Sequence, residues 1–159
     1  MTFDTFTVHG DADLDRAISR FMQRTTPKPG VGLKNLHALV TTLGAVGGGT
    51  IPDMTSVVVP VVKPCRILEW TADANLAGSA DITVEYAVWA IPRVWTVITT
   101  NPATLPAIVG ADVAGSDDLD GWTLLLDRKG AIRITVDTAT AIEQITFVLY
   151  VHDLPRGLA

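Results

Sequence analysis

One cysteine, Cys65, is all the thiol this chain carries, so no disulfide within it can brace the fold. A lone thiol without histidine-rich company reads as a small core residue, not a nucleophile. Histidine is almost as scarce: His9, His37 and His152 lie far apart, with no paired spacing and no second cysteine to complete a closed zinc site. Charged residues make up only 18% of the chain. A net charge of −5 and a pI near 5.0 leave no clustered Lys and Arg for a phosphate backbone, which excludes nucleic acid as a partner. No run of about 20 uncharged apolar residues occurs, which excludes a membrane-spanning helix. The opening residues, MTFDTFTVHGDADLD, lack a basic stretch followed by an apolar one, so no signal peptide is expected and synthesis in a cytoplasm is.

Catalytic patterns are missing too. Gly47, Gly48 and Gly49 are followed by Thr50-Ile51-Pro52, where a phosphate-cradling loop needs Lys and Ser/Thr ahead of a helix. None of Ser19, Ser56, Ser79 and Ser116 lies in a G-x-S-x-G elbow. Asp81 and Glu85 share one outward strand face and read as solubilising charges rather than as the flanking acids of a glycosidase. Asp117, Asp118 and Asp120 offer oxygen to a calcium ion, but the loop lacks the third acidic position and terminal Glu of an EF-hand, and the plainer reading is carboxylates capping turns. No enzyme activity, catalytic residue, metal or cofactor is expected.

What the chain does have is apolar surface. In 159 residues, 48% are hydrophobic, and the mean hydropathy is +0.33. That is apolar for a soluble domain of this size, so contact with other subunits is expected.

The organisation changes near residue 50. Asp11 or Asp13 caps a helix whose apolar positions Leu14, Ala17, Ile18, Phe21 and Met22 share one face, ending at TTPKPG. A second helix is expected from about Leu33 to Ala45, where Leu33, Leu36, Val40 and Leu43 step like a short coiled-coil seam. Helices this short are marginal alone. Either they self-associate, or Leu39 widens the stripe and the second helix covers a core. AVGGGTIPD reads as a hinge, giving an arm over 1–50 and a β-domain over 51–159.

From Thr55 onward the pattern is strand. TSVVVPVV carries Pro60 and belongs at an edge; CRILEW, ADITVEYAVWA, RVWTVITT, GWTLLL, AIRITVD and IEQITFVLYVH follow, with a long polar connection from Asn101. In AIRITVD, Ile132, Ile134 and Val136 face inward while Arg133, Thr135 and Asp137 face out. About six to eight short strands without intervening helices predict an antiparallel, jelly-roll-like β-sandwich behind a short helical arm. In the last strand Ile145, Phe147, Leu149 and Val151 line one face, yet Thr146, Val148 and Tyr150 opposite are barely more polar.

Residues Gly121, Trp122, Gly130, Ile132, Arg133, Val136, Asp137, Thr138, Thr140, Ile145 and Val148 compose a Gly-Trp, a glycine turn, an Ile-Arg strand, a VD, a Thr-rich turn and an apolar last strand. This closing segment, about a fifth of the chain, resembles the C-terminal part of minor structural, fibre and spike proteins of tailed bacteriophages. The resemblance implies a homotrimeric virion component without catalysis, anchored by its N-terminal arm to other virion proteins and exposing a β-structured head. In that setting Leu33, Leu36, Val40, Leu43 and Phe21 are the candidate assembly contacts. Trp89 and Tyr150, expected to point outward with Glu85 and Val148 beside them, are the candidate subunit or ligand contacts. Both protein packing and a host surface glycan would use them; Val148 and Thr146 suit protein better. Trp70 and Trp122 are expected in the core.

Overall fold

The computed structural model describes residues 35–45 and 47–155. The expected first helix, Phe21 and Leu33 lie outside the described residues. The strands are β1 (Leu36–Gly44), β2 (Thr55–Pro60), β3 (Cys65–Ala87), β4 (Thr96–Val97), β5 (Ala107–Ser116), β6 (Leu125–Leu126), β7 (Ala131–Thr140) and β8 (Gln144–Asp153). All pairing is antiparallel, along the path β1-β8-β3-β7-β2, with β4, β5 and β6 also paired to β3.

The sequence reading splits CRILEW from ADITVEYAVWA; they are instead the two ends of one 23-residue strand. Its first half pairs with β8, Cys65 opposite Asp153 through Ala74 opposite Ile145, and its second half pairs with β7, Ser79 opposite Thr140 through Ala87 opposite Ala131. Between those halves β3 turns a corner that requires Gly78, where a Cβ would fall on the Thr140 carbonyl. A register step between Ile67 and Glu69 switches the alternation, so that Cys65 and Ile67 and then Trp70, Ala72 and Ala74 are all buried.

The sheet curls back on itself. Ile67 N–H donates to the Leu124 carbonyl (2.9 Å), Thr123 N–H to Ile98 (2.8 Å) and Ile98 N–H to Val84 (3.0 Å), so the start of β3 joins its end through the segments carrying β6 and β4. Inside lie Ile82, Val84, Ile132, Ile134, Val136, Ile145, Phe147 and Leu149, with Trp70 stacked on Phe147 at 5.9 Å. Trp122 is buried as well. Ile132, Ile134 and Val136 thus face in as expected.

Residues 36–44, expected to be helical, are strand β1, paired along its whole length with β8 from Leu36 opposite His152 to Gly44 opposite Gln144. Leu36, Val40 and Leu43 therefore form no helical seam: Leu43 is in the core while Leu36 and Val40 are half-buried on the other face. The period misleads because nine residues are too few to separate a three-four step from alternation, and Val40-Thr41-Thr42 is a β-branched run better suited to a strand. The sheet accordingly begins before the glycines, and Gly47–Gly49, all at positive φ, link β1 to β2 within it. Two further differences concern length. RVWTVITT contributes only the two residues of β4, and the long connection after Asn101 contains the ten-residue β5.

The turn at DRKG also departs from expectation. Lys129, not Gly130, takes the left-handed conformation (φ 70), while Gly130 is needed because a Cβ there would overlap the Tyr86 ring. Ala141 in the β7–β8 connection is likewise left-handed (φ 63). In urea unfolding, Gly130→Ala is expected to lose about 1–3 kcal/mol through overpacking, and Ala141→Gly to gain about 1 kcal/mol because glycine accepts that φ without strain.

Candidate functional site

Cross-strand register builds a row on the outer face of the sheet: Val58 of β2 opposite Arg133 of β7, Arg133 opposite Glu85 of β3, and Glu85 opposite Val97 of β4. At its centre Arg133 grips Glu85 with both arms of its guanidinium, Nε at 2.5 Å and Nη2 at 2.8 Å. Trp95 covers the other side of that guanidinium, with Arg133 Cζ at 4.6 Å from the ring centroid. Alongside, Thr83 donates to Asp137 (2.6 Å) and Thr138 to Asp81 (3.1 Å). Trp95 and Arg133 are thus the partners of Glu85, a grouping that sequence reasoning missed although Glu85 and Arg133 occupy matching positions on two outward faces.

Beyond this row the β3–β4 connection projects from the sheet. Continuing the pairing of Glu85 with Val97 and Tyr86 with Thr96 would bring Trp89 opposite Arg93, and those two side chains do meet, Arg93 Cζ lying 5.3 Å from the Trp89 ring centroid. At the tip Ile91 is 92% exposed, flanked by Val94 at 71% and Trp89 at 63%. Trp89 is therefore outward as expected, but as part of a loop past the end of β3 rather than as a strand residue beside Glu85.

The other candidate contacts are not surface residues. Tyr150 and Val148 are 5% and 2% exposed, on a strand hydrogen-bonded to β1 along one edge and to β3 along the other. Burial also pushes the Tyr150 hydroxyl above its ordinary pKa. The near-apolar second face of β8 is the signal that these side chains are not solvent-facing.

The acidic loop is occupied with its own turns. Asp120 Oδ2 accepts from Asn101 (2.8 Å), Asp118 Oδ1 accepts from the Asp120 N–H (3.2 Å), and Thr104 Oγ1 donates to the Asp120 carbonyl (2.7 Å). Among the described residues no group of three or more His, Cys, Asp or Glu side chains could hold a metal ion. A second cluster joins β1, the end of β8 and the residues just before β3: His37 Nδ1 lies 2.9 Å from Asp153 Oδ1 and Lys63 Nζ 3.2 Å from Asp153 Oδ2, next to Cys65, which pairs with Asp153 across β3 and β8. Burial and the neighbouring Asp153 push the Cys65 thiol up to about 11, far from a reactive thiolate. Burial holds His37 below its ordinary value, outweighing the opposite pull of Asp153. Among the described residues no helix is long and apolar enough to cross a membrane.

No family model matches the chain, and no curated protein matches it. Among solved structures, it is laid against the serine protease of Aeromonas sobria in complex with its chaperone ORF2 at a TM-score of 0.36 and 12% identity, over 89% of this chain and 30% of that one. The same protease alone gives 0.33 and 10% over 88% and 30%. The Gt strain of infectious bursal disease virus gives 0.22 and 12% over 82% and 42%. The chain spans under half the length of each of these, and likenesses this slight carry no argument about fold or activity.

Two outcomes follow from the geometry. Arg133→Ala, which leaves Glu85 without its guanidinium, is expected to cost about 2 kcal/mol in chemical unfolding, and Arg133→Lys about half of that because the bidentate grip is lost while the charge stays. His37 folds with a lowered pKa, so the folded state binds fewer protons than the unfolded one. Stability is therefore full above the ordinary value of 6.5 and is expected to fall as pH drops through it toward the lower folded value. Melting temperatures of wild type and His37→Gln between pH 7.5 and 5 check this: the variant should show the shallower decline.

Proposed function

We propose that the chain is a non-enzymatic structural component of a tailed phage or phage-like particle, a head or tail fibre, spike or decoration subunit. In this reading it is a homotrimer, its N-terminal region attaches it to other virion proteins, and its curled sheet is a jelly-roll-like domain exposed on the particle. The observation that carries the reading is the phage-like closing segment, most of whose matched residues do structural work. Gly121 sits at φ 74 against Asn101, and Trp122 donates from Nε1 to the Thr104 carbonyl. Gly130 makes room for Tyr86, Arg133 grips Glu85, and Asp137 and Thr138 tie β7 to β3. Ile132, Val136, Ile145 and Val148 are buried. A motif made of turn chemistry, core positions and cross-strand links fits a scaffold.

The second reading is a carbohydrate- or receptor-binding module, favoured by Trp89, which Arg93 stiffens on one side while most of the indole stays in water. Particles purified on a density gradient from a lysate of the natural host decide the main reading. The chain is expected to co-sediment with intact particles, in repeated copies by quantitative mass spectrometry. Recovery solely in the soluble fraction, together with a glycan-array signal lost in Trp89→Ala, would transfer the assignment to the second.

A further inference from the structure

The exposed apolar surface and the uncharged part of this chain coincide. From Tyr86 to Ala111 the one charged side chain is Arg93, in a chain of net charge −5. Within that stretch fall seven of the twelve large hydrophobic side chains exposed among the described residues: Val88, Trp89, Ile91, Val94, Val97, Leu105 and Val109. The β3–β4 hairpin concentrates the first five of them. It is also held stiffly, since Arg93 packs on Trp89 and the Trp95 at its base is fixed over the Arg133–Glu85 pair.

From this we infer that the β3–β4 hairpin, residues 88–97, is the surface through which copies of this chain bind one another. The inference rests on the structural-component reading and names the contact it requires. Two acidic copies repel over most of their surfaces, and this stretch, free of Asp and Glu and carrying one cation, is where they meet without that penalty. Its composition is that of an interface core, aromatic and Arg-containing and depleted of Lys, Glu and Asp. One such patch suffices, because a closed cyclic assembly brings the same surface of every copy to the symmetry axis. A lipid surface is the poorer fit, since juxtamembrane attraction draws on clustered basic residues and the tip has a single Arg in an acidic chain.

Sedimentation velocity of the full chain over a concentration series tests it. Wild type is expected to self-associate, and Ile91→Asp and, independently, Val94→Asp to weaken association by at least about tenfold, as when a buried anchor is replaced by a carboxylate. Both side chains are largely in water in the single chain, so the circular dichroism spectrum should keep its wild-type shape, while any fall in melting temperature should be confined to concentrations at which wild type is associated; Val109→Asp, on β5, should leave association unchanged. An oligomer that persists in both hairpin variants overturns the assignment while leaving the particle reading intact, and a wild type that stays monomeric throughout overturns it outright. Flotation of wild type, but not of Ile91→Asp, with phosphatidylcholine–phosphatidylglycerol vesicles also overturns it, in favour of a bilayer. Self-association through the hairpin by a chain absent from purified particles would uphold the inference and sink the particle reading instead.

Discussion

Strand β3 is hydrogen-bonded along both edges for most of its length, and every other part of the sheet is arranged by that fact. On one edge it takes β8 and then β7; on the other it takes β6, β5 and β4. A flat strand serving five neighbours would leave its two ends far apart. The corner at Gly78 brings them together, because only a residue without a side chain lets the backbone approach Thr140 there. Once bent, β3 offers the alternating apolar residues of both halves to one interior, and β7 and β8, following one another along its edge, add theirs. The Trp70–Phe147 stack sits in the first half, while Ile82 and Val84 line the second.

The polar groups follow the same geometry. Where the outer face of the second half runs into the edge, a charge-assisted pair between Glu85 and Arg133 fastens β7 to β3, and Trp95 extends that fastening to the strand beyond. A stiff base of this kind is what allows a short, apolar hairpin to stand away from the sheet without collapsing onto it. The Thr83–Asp137 and Thr138–Asp81 bonds repeat the device further along the same two strands.

Much of this was legible in the residues, and the failures have physical causes. The alternation of Ile132, Ile134 and Val136, the edge position of the strand carrying Pro60, and the burial of Trp70 and Trp122 all follow from rules that depend on one strand and its two faces. What did not follow depends on partners distant in sequence. Leu36–Gly44 is a strand because β8 offers it nine residues of register, a tertiary term that outweighs a brief helical spacing. Tyr150 is buried on a strand that lies between two others, a place its nearly apolar second face hinted at but could not fix. Trp95 and Arg133 become neighbours of Glu85 only when β4 and β7 flank β3, a juxtaposition that no spacing along the chain encodes.

The thiol of Cys65 stands at the seam where the first residues of β3 meet the end of β8 and the two residues of β6. It is enclosed and held almost wholly protonated at neutral pH. An alkylating reagent reaches it only in molecules whose seam has parted, so its rate of modification keeps time for the opening of the sheet, with no label added to the protein.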